Sequence, residues 1–73
     1  MRNLRFLVNE EFKASELAED LRVQLEVNRF NSVKVLSVDN RNEVIVQLPE
    51  ANGSLEEAVG SFMESYQSGL ILE

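Results

Sequence analysis

Two runs rich in β-branched residues, Val33 to Val38 and Val44 to Leu48, flank the polar stretch Asp39-Asn40-Arg41-Asn42-Glu43. This arrangement limits the fold more than any other feature of the chain. β-Branched side chains suit a pleated, half-buried surface. Asn and Asp tolerate left-handed backbone and hydrogen-bond their own main chain, so the segment reads as a hairpin closed by a turn of four or five residues. Pro49 has no amide proton for a ladder and ends the second strand. Pairing Val38 with Val44 puts Leu36, Val38, Val44, Val46 and Leu48 on one face, and Val33, Val35, Ser37, Ile45 and Gln47 on the other.

The flanking sequence supplies what such a hairpin needs as cover. Leu4 to Val8 is a short apolar run with Leu4, Phe6 and Val8 on one face and Arg5 and Leu7 on the other, which predicts a first strand. Ala14, Leu17, Ala18, Leu21, Leu25 and Asn28 then recur with helical spacing. Ser15 is available as N-cap, carboxylates fill the first turns, and the helix is expected to end near Asn28–Asn31. A second helix is predicted from the capping box Ser54-Leu55-Glu56-Glu57 and the stripe Leu55, Val59, Phe62, Met63 and Tyr66, with Gly69 as its C-terminal cap. Leu70-Ile71-Leu72 suits a last short strand. The order β-α-β-β-α-β predicts an α+β, ferredoxin-like fold, an antiparallel sheet with two helices on one face, formed by residues 1–73 as one domain.

Composition removes most kinds of chemistry. Cysteine and histidine are absent, which excludes disulfides, thiolate or imidazole metal sites, Cys and His nucleophiles and the commonest general base. No nucleophile elbow surrounds a serine, and Gly53, Gly60 and Gly69 are isolated rather than grouped as a phosphate loop. Glu56 and Glu57 are adjacent on a helix and diverge by about 100°, so they do not converge on one substrate atom. Asp39 to Glu43 offers oxygens but lacks the twelve-residue calcium loop and its central glycine. The expectation is a protein that is not an enzyme and carries no metal or cofactor.

Nucleic acid and membrane are also poor partners on these grounds. An RNA-reading sheet needs exposed aromatics and a basic field, whereas Phe6 is the one strand aromatic, on the core face, and the net charge is −6. Ala14 to Leu21 resembles the first helix of a winged-helix DNA reader, yet a strand begins where its recognition helix should continue. No apolar run approaches the roughly 20 residues that span a bilayer, and no signal-peptide pattern follows Met1, so a cytoplasmic location is expected. The order and spacing of elements resemble those of the heavy-metal-associated chaperone domains across most of the chain. That family binds metal through a Cys-x-x-Cys after its first strand, and Asn9-Glu10-Glu11-Phe12-Lys13-Ala14 holds no thiol. The resemblance therefore implies architecture and no metal role.

What remains is surface. A chain of 73 residues buries only about 60% of its unfolded area, and association is one of the few ways left to bury more. With both helices on one sheet face, Leu7, Val33, Val35 and Ile45 are left on the other, with Ile71 beside them. Val23 and Val27 lie opposite the apolar stripe of the first helix, while Phe30 turns back to close the core. Leu7, Val33, Val35, Ile45, Val23 and Val27 predict a protein-interaction module that pairs with itself or with another protein. The alternative is an acidic inhibitor or nucleic-acid mimic presenting Glu16, Glu19, Glu26, Glu56, Glu57 and Glu64 to a basic partner.

Overall fold

The computed structural model describes residues 2–30, 33–48 and 53–72, without the side chains of Arg2 and Leu72. Six elements follow in the order β1 (Arg2–Val8), α1 (Ala14–Val27), β2 (Lys34–Val38), β3 (Glu43–Leu48), α2 (Gly53–Met63) and β4 (Gln67–Leu72). The strands form one antiparallel sheet in the order β2-β3-β1-β4. This is the ferredoxin-like α+β arrangement, with β1 and β3 central and β2 and β4 at the edges. Pro49 and the other residues between β3 and α2 lie outside the described residues.

One apolar cluster joins sheet and helices. Leu4, Phe6, Val8, Val44, Val46 and Leu48 from the central strands pack with Ala14, Leu17, Ala18, Leu21 and Leu25 of α1 and Leu55, Val59 and Met63 of α2. Helical spacing puts the α1 residues on one stripe, and period-two alternation puts the strand residues on one face. Phe12, Phe30, Phe62 and Tyr66 close the margins of this cluster, and the Phe12 and Tyr66 rings meet edge to face with centroids 4.9 Å apart.

The hairpin register differs from the expectation by one residue. Val38 pairs with Glu43, not Val44, so Val35 lies beside Val46 and Leu36 beside Ile45. A one-residue slip turns a whole strand over. Val35 is consequently core at 5% exposure, and Leu36 is on the outer face at 44%. The cause is a loop of four residues, Asp39 to Asn42, with Arg41 N–H donating to the Val38 carbonyl and Asn42 N–H to that of Asp39. Asn42 leaves this turn in the left-handed region at φ 52°.

Asn42 also holds the start of α1. Its Oδ1 accepts the Ala14 N–H at 2.8 Å, and its Nδ2 donates to the carbonyls of Phe12 at 2.9 Å and Asn9 at 3.2 Å. The Asn42 carbonyl accepts the Val8 N–H at 3.0 Å. Ser15 is therefore not the N-cap. The helix begins two residues earlier, after an extended Lys13 that makes no side-chain cap bond, and a side chain 28 positions from Ala14 supplies the acceptor. Both ends of α2 also differ from expectation. α2 starts at Gly53, which puts Ser54 inside the helix rather than at its cap, and Gly69 lies within β4 instead of ending α2. α1 closes as anticipated near Asn28, through a Schellman motif in which Phe30 N–H bonds the Leu25 carbonyl and Arg29 N–H that of Glu26. Arg29 occupies the left-handed position at φ 65° that glycine usually fills.

Three stability measurements by urea unfolding check these points. Val35→Ala should cost about 2 kcal/mol while Leu36→Ala stays within about 0.5 kcal/mol, and equal costs would contradict the register. Asn42→Ala should cost about 2–4 kcal/mol through the lost cap, the orphaned Phe12 and Asn9 carbonyls and a β-carbon in left-handed backbone. Asn42→Gly, which relieves only the backbone part, should fall short of that loss by about 1 kcal/mol. Arg29→Gly should raise stability by about 0.5–1 kcal/mol, and a loss of stability there would remove strain from the account of the helix end.

Candidate interaction surface

The outer sheet face is a grid set by the strand pairing. Reading from β2 through β3 and β1 to β4, one row is Val38, Glu43, Leu7 and Gly69, and the next is Leu36, Ile45, Arg5 and Ile71. Lys34, Gln47 and Asn3 begin a third. The middle row thus runs aliphatic, aliphatic, cationic, aliphatic across all four strands. Leu36 and Ile71, at its two ends, are each 44% exposed, while Leu7, Val38 and Ile45 are half-buried.

At the centre of the grid Arg5 Nη1 stands 3.4 Å from Glu43 Oε1. Glu43 is only 8% exposed, the one charged residue among the described residues to reach the buried class. Its partner lies diagonally across on the neighbouring strand, so opposite charges sit side by side in the middle of the face. Gly69 faces Leu7, and a β-carbon at Gly69 would come 3.4 Å from Leu7 Cδ1. The Leu7 side chain thus lies against the open backbone of Gly69.

The structure sorts the anticipated interface residues into three groups. Leu7 and Ile45 lie together on the outer face, as expected. Val35 and Val33 do not: the corrected register turns them toward the helices, where Val35 is core and Val33 packs at its margin with Phe30. Leu36 and Val38 take their places outside. The sequence signal for this exchange was present in Asn42, a residue suited to left-handed backbone, but either turn length satisfies the local turn chemistry. Val23 and Val27 stand on the crest of α1, at 51% and 71% exposure, away from the sheet and among Glu16, Glu19, Asp20 and Glu26.

Charge separates the two sides of the molecule. The outward positions of the helices carry the exposed carboxylates Glu16, Glu19, Asp20, Glu26 and Glu57, with Glu64 just beyond α2 and Glu56 half-buried. Glu19 is not a free member of an acidic row, since its Oε2 accepts from Arg22 Nη1 at 2.7 Å. Arg22 also donates through Nε and Nη2 to the Val35 carbonyl, at 3.1 and 2.9 Å, and so occupies a backbone acceptor of edge strand β2. The described positions of the outer sheet face hold Arg5 and Lys34 against the single acid Glu43.

Among the described residues no group of three or more carboxylates is placed to hold a metal ion, and no helix is long and apolar enough to cross a membrane. The open depression between α1 and α2, about 370 Å³, is lined by Gln24, Asn28, Ser61 and Phe62 as well as core leucines, and has no charged side chain to orient a substrate. No family model matches this chain, and no curated protein or solved structure shows significant similarity to it.

Proposed function

We propose that this chain is a non-enzymatic, cytoplasmic protein-interaction module that pairs with a second copy of itself through the outer face of its sheet. The observation that carries the reading is the middle row of that face, where Leu36, Ile45 and Ile71 flank an internally compensated Arg5–Glu43 pair. A solvated sheet face normally alternates to polar residues, whereas this one keeps Leu7, Leu36, Val38, Ile45 and Ile71 among its polar positions. A chain with a net charge of −6 repels its own copies over most of its surface. The described positions of the outer face, with Arg5 and Lys34 against Glu43, lack that acidic excess and are where two copies approach without it. The crest of α1 is the weaker candidate, because Val23 and Val27 are ringed by carboxylates that would oppose carboxylates on the second copy.

Size sets the strength to expect. Four strands about 4.8 Å apart and six residues long give a footprint on the order of 400 Å² per copy before side-chain relief is counted. Stable interfaces usually bury about 800 Å² per partner, so the contact belongs toward the weak end, with a dissociation constant on the order of micromolar.

Light scattering across a dilution series should show a dimer that dissociates in that range. Leu36→Lys or Ile45→Lys should leave a monomer at every concentration, with an unchanged far-ultraviolet circular dichroism spectrum. Val35→Lys should destabilise the chain instead, because it sets a charge in a core position. A parent protein that stays monomeric up to millimolar concentration would sink the proposal.

A further inference from the structure

We infer that the open edge of β4 takes up an extended segment of another protein as an added strand, bonded through the outward backbone groups of Leu70 and Leu72. Such a strand can add whether or not two copies meet over the outer face. In an antiparallel ladder, alternate residues turn their N–H and C=O to one neighbouring strand and the residues between them to the other. Val8 N–H donates to the Asn42 carbonyl, so the even residues of β1 face β3 and the odd ones, Arg5 and Leu7, face β4. Asn9 N–H agrees with this, donating to the Tyr66 carbonyl just ahead of β4. Ile71 and Gly69, opposite Arg5 and Leu7, therefore turn their backbone groups toward β1. Leu70 and Leu72 turn theirs outward.

The same alternation turns the Val35 and Ser37 groups of β2 to the opposite edge of the sheet. Arg22 confirms it there, donating through Nε and Nη2 to the Val35 carbonyl. The two edges thus differ. A guanidinium lies along β2 and opposes the addition of another strand. Strand β4, Gln67-Ser68-Gly69-Leu70-Ile71-Leu72, has no charge and no proline. Among the described residues no hydrogen bond reaches the outward groups of Leu70. Leu70, on the Phe6 side of the sheet, and Ile71, on the Arg5 side, are 45% and 44% exposed, so an incoming strand finds an aliphatic neighbour on either face. Strand addition draws affinity from main-chain bonds and alternate side-chain contacts rather than from a large area. The occupant suited to this edge has aliphatic residues at alternate positions and basic flanks, because the chain carries a net charge of −6 and Glu64 is exposed just ahead of β4. A second copy would bring that same net charge to a contact only one strand wide.

The test is amide NMR on the full chain, with a capped peptide of alternating valine and threonine, a lysine at each end, as the probe. In the free protein Leu70 N–H should exchange with solvent many times faster than Ile71 N–H, and the reverse order would overturn the inference. Peptide at about millimolar concentration, suited to a weak strand contact, should slow exchange at Leu70 and Leu72 several-fold and leave Val35 and Ser37 unchanged. The same peptide methylated at every backbone nitrogen keeps its charge and side chains but has no N–H to donate, and should have no effect. Equal effects of the two peptides, shifts confined to α1 or the outer face, or no effect of either would each overturn the inference. Leu70→Pro removes an outward N–H without touching the ladder to β1, so its far-ultraviolet circular dichroism should persist while the peptide response is lost. A folded Leu70→Pro variant that still responds would count against the edge. The methylated peptide needs no substitution, so its result decides even where that variant fails to fold. Protection of Leu70 that fades as the free protein is diluted would assign the edge to a second copy and overturn the inference.

Discussion

The register between β2 and β3 depends on Asn42. Four loop residues, not five, separate Val38 from Glu43, and Asn42 closes that loop in left-handed backbone. Its amide side chain is at the same time bonded to the Ala14 N–H and to the carbonyls of Phe12 and Asn9. Lengthening the loop by a residue would displace that side chain and leave buried donors and acceptors without partners, which costs far more than a turn's local preference. One residue thereby couples three segments remote in sequence: the end of β1, the start of α1 and the hairpin. A small domain with no disulfide or metal has few other ways to cross-link its loops.

From that register follows the division of the surface. With Val35 inward, β2 contributes to the same core as Val44 and Val46, and Arg22 can reach over the edge to the Val35 carbonyl. With Leu36 outward, Leu36, Ile45 and Ile71 fall into one row across the sheet, with Val38 and Leu7 in the row beside it. The exposed carboxylates Glu16, Glu19, Asp20, Glu26 and Glu57 meanwhile keep an acidic coat on the helices, and Glu16 and Glu56 lie in first turns, where the helix dipole favours them. The molecule therefore has one charged side and one side that is apolar and nearly neutral. Area that a chain this short leaves exposed is worth about 25 cal/mol per Å² when a partner covers it, before the costs of association.

Much of this was legible from local pattern. The stripe Ala14, Leu17, Ala18, Leu21 and Leu25 is buried as its spacing predicts, and so are Leu4, Phe6 and Val8 of β1. Phe30 returns to the core, and the Leu70–Leu72 segment is a strand. Capping was less legible because it is a contest between near and distant partners. Ser15 lost the α1 cap to Asn42, a side chain from another part of the fold, and Gly69 lies within β4 opposite Leu7 rather than at the end of α2.

The sequence by itself determined the order and type of the elements, the helix stripes, the faces of β1 and β3, and the absence of imidazole and thiol chemistry. Each of these follows from periodicity or composition, which need no knowledge of distant contacts. Tertiary structure alone decided which way β2 faces, and with it that Leu36 and Val38, not Val33 and Val35, join Leu7 and Ile45 outside. The reason is that β2 is apolar on both of its faces, so alternation does not choose between them. The choice passes to a turn whose length is settled by hydrogen bonds 28 to 33 residues away in the chain.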